Sequence, residues 1–523
     1  MDKQQENKKE STCTQKSQTE LLLEITKDII LVNGGSKVYA VVENNNKMEK
    51  LLVSGEDFKN WLNLIYFNTY SHIPTMQTVK QVITLLQAKA RFETQAVELE
   101  NRVKFGEDIL WYDLSNDSSE AIEVTSTGWK VIDNAHHMFY YFPHQMPQVT
   151  PSANGNIDLI MKYVNISPEQ ELLFKAYIVS CFLGEINHPL IALVGNYGTA
   201  KTTTFRILKK LIDPSRLSTL SIPKKEGDLP QLFHHHWWLG FDNLHKINQS
   251  LSDSFCKVVT GDSRSDRKLF TDDDDIFYEF KRCVGINSLD MVAKNQDLLS
   301  RCIIFKLNTI PSEKRKEERV LFKEFQKDLP HILGGIFDIL SKTLSIYKTK
   351  KINSGDRMAD FESWAYVIAE AIEEGSGDKF IAQLQISKNI RHTEIINHNP
   401  VAQAIIHFME NRFIWEGKVS ELLEILQKVA YREKMISDTA VFPTSANILS
   451  RDLNKIQQEL EIEGITLTRG KTLNNCSLVI FENKHIEKPM IRNPIFLNSR
   501  KRIEYLMGLT QDNNSDSEND TWE

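Results

Sequence analysis

Apolar and polar positions change period along this chain, and the changes of period mark its divisions. Residues 1–20 are polar and charged without aromatics and read as disordered. From Leu21 to about Met146, alternating strand-like runs surround two stretches of helical spacing, Gly55 to Phe67 and Thr75 to Val97. The strand-like runs are Ile29 to Val32, Val38 to Val42, Leu110 to Leu114, Ala121 to Val124 and Trp129 to Ile132. This part, 21–146, reads as a mixed α+β accessory domain. Pro143 to Asn156, rich in proline and polar residues, reads as a linker. Helical patterns from Ile157 to Asn187 lead to a wholly apolar run, Leu190 to Val194, which reads as a buried strand. Gly195 to Ala200 then reads as a tight loop. From Lys201 a helix follows, with Phe205, Leu208, Leu211 and Ile212 on one face.

The unit begun at 157 reads as an α/β core to about 310. Pro311 to Leu340 and Asp360 to Ala371 are helical and joined by a basic, polar stretch, so 311–395 reads as a helical lid. Asn399 before Pro400 is a strong helix start, a capping amide followed by proline at the first helical position. Beyond it come helix Val401 to Arg412, extended Trp415 to Lys418, helix Glu421 to Ala430 capped by Ser420, and helix Ala446 to Glu463 capped by Ser445. Two strands, Ile465 to Arg469 and Cys476 to Phe481, close the order. That succession over 396–485 is the order of a winged helix, whose last helix and wing meet DNA. Its candidate contacts are Arg451, Lys455, Arg469 and Lys471. Residues 486–523 are first basic and then acidic, a tail.

Composition narrows the function classes. At 523 residues several domains are expected, and 41% hydrophobic with 25% charged residues is ordinary for a soluble chain. A net charge of −7 carries no global signature of nucleic-acid binding, so any DNA contact must be local. The six cysteines include no C-x-x-C pair, and neither zinc nor a disulfide framework is expected. No apolar run approaches the roughly 18 residues a membrane span needs, and a cytoplasmic protein without a membrane partner is expected.

The candidate chemistry centres on the loop after Val194. Strand, loop and helix in that order form a phosphate cradle in P-loop proteins, built from backbone N–H groups and the positive helix end. The expected cradle is Gly195, Asn196, Tyr197, Gly198, Thr199, Ala200, Lys201, Thr202 and Thr203, with the Lys201 ammonium on the outer phosphates and the Thr202 hydroxyl on Mg²⁺. Ala200 departs from the pattern, standing where the second glycine belongs and limiting the loop to backbone angles alanine can adopt. Asp242, 41 residues after Lys201 and at the end of an apolar strand, is placed to hold the Mg²⁺ shell. Asn243 follows where a carboxylate base is common, and an amide cannot take a proton at neutral pH. The strand Arg282 to Ile286 ends in Asn287, a candidate γ-phosphate sensor. Arg301 stands at a helix end before another strand, where it would face a neighbouring subunit. Leu269 to Thr271 and Ile276 to Phe280 bracket the acidic run Asp272 to Asp275 as hairpin strands would. His234, His235 and His236, taken as adjacent positions on a strand, alternate across it and cannot close around one metal. Asp113 and Asp117 read as residues flanking a hairpin turn.

With GNYGTAKT, FDN, K-x-x-T-G-D, R-K-L-F, G-I-N and L-L-S-R-C in succession, the chain resembles the superfamily-three helicase branch of the AAA+ ATPases. Within it the chain is most similar to phage- and plasmid-encoded primase-helicase ATPases. The likeness is most specific from Leu190 to Leu307 and is weaker through Arg357 to Phe361. The fold class it implies is α/β: a P-loop AAA+ type ATPase core with a helical lid, a mixed α+β N-terminal region and a C-terminal winged helix. It further implies ATP and Mg²⁺ as cofactors, catalysis by Lys201, Asp242, Asn243, Asn287 and the trans-acting Arg301, and Arg357 as a second sensor. Asn243 lies in the acid pair of the motif. Arg267 and Lys268 would lie on a hairpin near DNA in the channel of a homo-oligomeric ring, a hexamer in the family. DNA, single-stranded or forked, is the implied partner. The chain shows no recognisable primase region, so priming would come from a separate primase or polymerase. Two readings are open: an ATP-dependent DNA helicase or translocase replicating a phage, plasmid or integrated element, or a nucleotide-dependent DNA-binding switch without unwinding activity. A small-molecule kinase is disfavoured because no acceptor pocket is apparent.

Overall fold

The structure is a computed structural model that describes residues 16–35, 37–44, 47–133, 135–267, 275–289, 291, 293, 295–355, 357–435, 442–471 and 477–486. Lys268, Leu269 to Thr271, Asp272 to Asp274, most of the expected N-terminal disorder and the tail from 487 lie outside the described residues. The chain forms two units, Met1–Val292 with Arg301–Gln385 and Ala293–Ser300 with Ile386–Glu523.

The first unit begins with α1 (Gln18–Ile25) and an antiparallel meander of β1 (Ile30–Gly34), β2 (Lys37–Asn44) and β3 (Lys47–Leu52). Against it pack α2 (Glu56–Tyr70) and α3 (Met76–Glu93). Val38, Ala40 and Val42 point to one face of β2 and meet Phe58, Leu62, Val79, Val82 and Leu86, the core that period-two spacing requires. β3 is not among the expected strands because Lys47, Glu49 and Lys50 break its apolar alternation. α3 ends at Glu93 rather than at Val97: Thr94 is extended, and Val97 N–H donates to Asn33 O at 2.8 Å, so the chain leaves the helix to pair with β1.

A second antiparallel sheet comes next, β4 (Val103–Gly106), β5 (Ile109–Asp113), β6 (Ala121–Thr125) and β7 (Gly128–Ile132). Asp113 ends β5, while Asp117 lies within the turn to β6 rather than on its far flank; Asp113 is buried and accepts from Ser115 N–H at 2.8 Å. Residues 143–156 are not a free linker. Gln148 is buried and donates to Leu211 O at 2.9 Å, and Ser152 N–H donates to Pro330 O at 2.9 Å, so the segment is a packed strap.

The core from 157 contains α4 (Glu171–Ser180), β8 (Leu190–Val194), α5 (Lys201–Ile212), α6 (Leu229–His235), β9 (Trp238–Phe241), α7 (Gln249–Thr260), β10 (Asp262–Arg267), β11 (Asp275–Phe280) and β12 (Cys283–Ser288). α8 (Gln296–Leu299), counted with the second unit, precedes β13 (Cys302–Lys306). The four long-range strands form an all-parallel sheet in the order β13-β8-β12-β9, and β8 is buried at every position. That is why its sequence is continuously apolar rather than alternating. His234 and His235 end helix α6 and His236 follows it, so the strand expected to carry them begins later, at Trp238.

Next come α9 (Glu318–Lys350), α10 (Ala359–Ile372) and α11 (Gly377–Asn397). The helix expected to end near Leu340 runs ten residues further, to Lys350, through the stretch expected to be a connection. α9 contributes Phe325, Leu333 and Phe337 to a core shared with α4, α10 and the second sheet. Residues 103–124, expected to belong with the accessory region, thus share a core with 157–384.

The second unit holds α12 (Pro400–Met409), β14 (Ile414–Lys418), α13 (Val419–Arg432), α14 (Ala446–Ile462), β15 (Ile465–Lys471) and β16 (Ser477–Asn483), with sheet order β14-β16-β15. Asn399 caps α12 as expected, its side-chain oxygen accepting from Val401 and Ala402 N–H at 3.1 and 3.0 Å. Ser420 is not a cap: α13 starts one residue earlier, and Lys418 N–H donates back to Glu421 Oε2 at 3.1 Å.

Candidate active site

Parallel strands bring their C-terminal ends to one edge of a sheet, and the crevice there is where such sheets bind ligands. At that edge β8 releases Gly195–Ala200, β12 ends at Asn287 and Ser288, and β9 ends one residue before Asp242. The register sets them level: Asn287 pairs with Leu193, Ser288 with Val194 and Ile286 with Phe241.

The loop is laced to the chain that follows β13. Leu307 N–H donates to Val194 O at 2.8 Å and Ile310 N–H to Gly198 O at 3.1 Å. Asn165 donates from its amide to Thr199 O at 3.1 Å and Asn308 O at 2.7 Å. Thr199 is buried and its hydroxyl donates to Asn196 O at 3.0 Å, while Asn196 and Tyr197 are exposed at the loop's tip. Gly195 is required by close approach: a Cβ there would lie 2.5 Å from Leu307 O. Gly198 and Ala200 both adopt left-handed angles, φ 74° and 65°. The departure at Ala200 therefore carries a real cost, since an L residue with a side chain is strained in that region by roughly 1 kcal/mol.

Lys201 opens α5 and its ammonium donates to Gly195 O at 2.5 Å and Asn196 O at 2.9 Å, curled over the loop. Burial lowers its pKa, and Asp242 opposes the shift. The Thr202 hydroxyl donates to Asp242 Oδ1 at 3.0 Å, so the two side chains expected to share a metal stand in contact. Hard oxygens from a hydroxyl and a carboxylate fit Mg²⁺, which keeps most of its waters and takes few protein ligands. Thr203 sits in the same first turn, half-buried.

Asn243 has φ 57°, and its backbone N–H donates to Asn287 Oδ1 at 2.7 Å. Asn287 is 1% exposed, and its amide nitrogen has no hydrogen-bond partner among the described residues. A buried donor left without a partner costs about 1–3 kcal/mol, a cost that a ligand oxygen would remove. Lys201, Thr202, Asp242, Asn243 and Asn287 are thus brought together with the loop.

Arg301 is not. Arg301 precedes β13, and its carbonyl accepts from Leu190 N–H at 2.9 Å, at the start of β8. Five strand residues at about 3.3 Å each separate it from the loop at the end of β8. Its guanidinium is half-buried, with Nη1 3.8 Å from Cys256 Sγ on α7. Arg357 follows the far end of α9. The near end meets the helix after the loop, with Glu318 bonded to Arg206 and Lys210 over Phe322. Thirty-three residues of helix then run roughly 50 Å, with Phe337 against Tyr112 and Tyr347 stacked on Trp364. Arg357 stands seven residues after α9 and two before α10, on the connection between them.

Sequence reasoning missed what anchors α5. Asp213, buried at its end, accepts from Lys209 at 2.6 Å, Arg102 at 3.2 Å and the backbone N–H of Trp237 at 3.0 Å. Burial pushes its carboxyl up, but Lys209 and Arg102 outweigh burial and hold it below the usual range. Only the Lys209–Asp213 spacing of four positions is a signal the sequence carries.

Among the expected DNA contacts, Arg267 pairs with Asp275 in the β10–β11 hairpin; its side chain and all of Lys268 lie outside the described residues. On α14, Arg451 is exposed and Lys455 pairs with Asp452 at 3.1 Å. Arg469 donates to Ser450 Oγ at 2.7 Å and Ser450 O at 2.8 Å, tying the strand to the helix, and the Lys471 side chain lies outside the described residues.

Residues 157–385 match the family model of the actinomycete integrative conjugative element replication protein, AICE RepA, and residues 401–486 match the model of the AICE RepA C-terminal domain. The chain is therefore similar, over two successive stretches, to a replication-protein family. No curated protein matches it in sequence. Similar solved structures include two of the apo NrS-1 C-terminal region, at 10% and 12% identity and TM-scores of 0.38 and 0.39, each covering 88% of this chain and 97% of its own. A complex of JCV helicase with a substituted acetamide aligns at 13% identity and TM-score 0.21, covering 43% of this chain and 67% of its own. Likenesses at these scores do not bear on function.

Proposed function

We propose that the protein is an ATP-dependent DNA helicase or translocase that works as a homo-oligomeric ring in replication of a mobile element. The observation that carries the reading is the contact of Thr202 with Asp242 at 3.0 Å beside the glycine loop, with the unpartnered Asn287 amide on the neighbouring strand. On this reading Gly195–Ala200 is a phosphate cradle, Lys201 exchanges its loop carbonyls for phosphate oxygens, and Asn287 donates to the γ-phosphate or the attacking water. Mg²⁺, held by Thr202 and Asp242, would neutralise charge on the phosphates. Arg301, at the sheet end away from its own loop, would serve the nucleotide of an adjacent copy. The replication role is supported by the family matches over 157–385 and 401–486. The segment 400–483, with α12, α13 and α14 and a three-stranded sheet in winged-helix order, would bind DNA through Arg451 and its neighbours.

The test is hydrolysis of ATP with and without forked DNA, together with unwinding of the fork. Wild-type protein is expected to hydrolyse ATP faster on DNA and to unwind the fork. Lys201→Ala and Asp242→Ala should lower turnover by at least about a hundredfold, the scale of losing an electrostatic stabiliser of the transition state. DNA-independent hydrolysis without unwinding would leave the switch reading, which Asn243 favours because an amide cannot serve as the base. No hydrolysis at all would remove both.

A further inference from the structure

We infer that Arg315 is a nucleotide-binding residue, a second cation supplied by the same chain to the polyphosphate held at the glycine loop. The inference rests on the phosphate-cradle reading of Gly195–Ala200 and names a residue that none of the motifs singles out.

Gly198 lies midway along the loop at φ 74°, and the space beside it that a side chain would occupy is filled by the Arg315 guanidinium. A Cβ on Gly198 would stand 2.7 Å from Arg315 Nη2 and 3.2 Å from its Cζ. The guanidinium is held there by one edge. Arg315 Nε donates to Ile310 O at 3.0 Å, and Ile310 N–H donates to Gly198 O at 3.1 Å, which closes a short circuit from the loop to Arg315 and back. Neither terminal nitrogen makes a hydrogen bond among the described residues, and the side chain is exposed. An arginine carries five donors in a planar fork suited to two phosphate oxygens at once, and here only the Nε donor is engaged. Two nearby cations are engaged elsewhere: Lys316 pairs with Glu324 at 2.7 Å and Arg206 with Glu318. Arg315 is thus anchored on its stem side, open on its fork side and seated on a loop that Lys201 already supplies with positive charge.

The experiment is displacement of a fluorescent ATP analogue from full-length protein by ATP and by inorganic tripolyphosphate, with melting temperature recorded for each variant. Arg315→Ala should weaken both competitors about tenfold to a hundredfold, the scale of losing a charge-assisted bidentate contact. Arg315→Lys, which keeps the charge, should regain part of the loss. Arg315→Gln, which keeps a donor for Ile310 O without charge, should not. Titrations of Arg315→Ala that overlay the wild type overturn the inference. So does full recovery in Arg315→Gln, since Arg315 would then only brace the loop. A wild-type protein that binds neither competitor removes the phosphate-cradle reading itself.

Discussion

Ala200 shows how a single methyl group is tolerated where glycine is the usual residue. The position opens α5 with φ 65° and ψ 26°, a conformation that glycine reaches freely and alanine only under strain. The strain persists because the loop is tied down on both sides, by Asn165 at Thr199 O and by Ile310 at Gly198 O. Ala200→Gly should therefore stabilise the folded protein by up to about 1 kcal/mol, the relief of the left-handed cost less the extra backbone entropy of glycine. Thermal unfolding checks this, and a lower melting temperature for the variant would contradict it. Asn287 follows the opposite logic. Its side-chain oxygen is used by Asn243 N–H, while its nitrogen stays unpartnered among the described residues.

Among the elements, α9 depends most on glycine. Gly334 and Gly335 form a notch into which the 143–156 strap descends. A Cβ on Gly334 would meet Ser152 O at 1.9 Å, and one on Gly335 would meet Ile157 N at 2.6 Å. Backbone meets backbone at both points, and no rotamer change relieves the contact. Gly334→Ala is therefore expected to destabilise the first unit by about 1–3 kcal/mol, the usual cost of overpacking, despite alanine's better helix propensity. A denaturant midpoint equal to or above wild type would refute this. Helix α11, by contrast, is hard to read in the sequence because its 21 residues, with Lys388, Arg391, His392 and Glu394 among Ile386, Ile390 and Ile395, present no single clean apolar stripe.

Across the molecule the two units carry histidines of opposite sign. In the first, burial lowers His144 to about 4 and His234 to about 3, with nearby Lys209 and Arg282 adding to the respective shifts. A depressed pKa contributes stability that is present above the unfolded value of 6.5 and lost as pH falls from there toward 4. In the second, His392 on α11 is bonded to Glu459 at 2.5 Å and Glu463 at 2.8 Å, and those bonds raise its pKa. A raised pKa contributes stability that is fully present below 6.5 and lost as pH rises through the folded value. Acidification should thus weaken the first unit between pH 6.5 and 4, while mild alkali weakens the α11–α14 clasp of the second. Amide hydrogen exchange, resolved by unit and corrected for intrinsic rates, checks both directions. Identical pH dependence in the two units would contradict the assignment, and His392→Gln should remove the alkaline effect alone.

What the amino-acid order determined by itself was local. The apolar run Leu190–Val194, the loop beginning at Gly195, the helix from Lys201, the cap at Asn399 and the strand leading to Asp242 each follow from a few neighbouring residues. Period, turn chemistry and capping act over a short stretch of neighbours, which is why they could be read. Strand order was decided only by folding. It set Asn287 level with Leu193, brought Thr202 to Asp242 and left Arg301 at the other end of its strand. Arg315 came to Gly198 the same way, through a backbone bond from Ile310 that no spacing rule announces. Contacts between residues distant in the chain depend on which faces bury together, and burial is a property of the packed whole rather than of any stretch of chain.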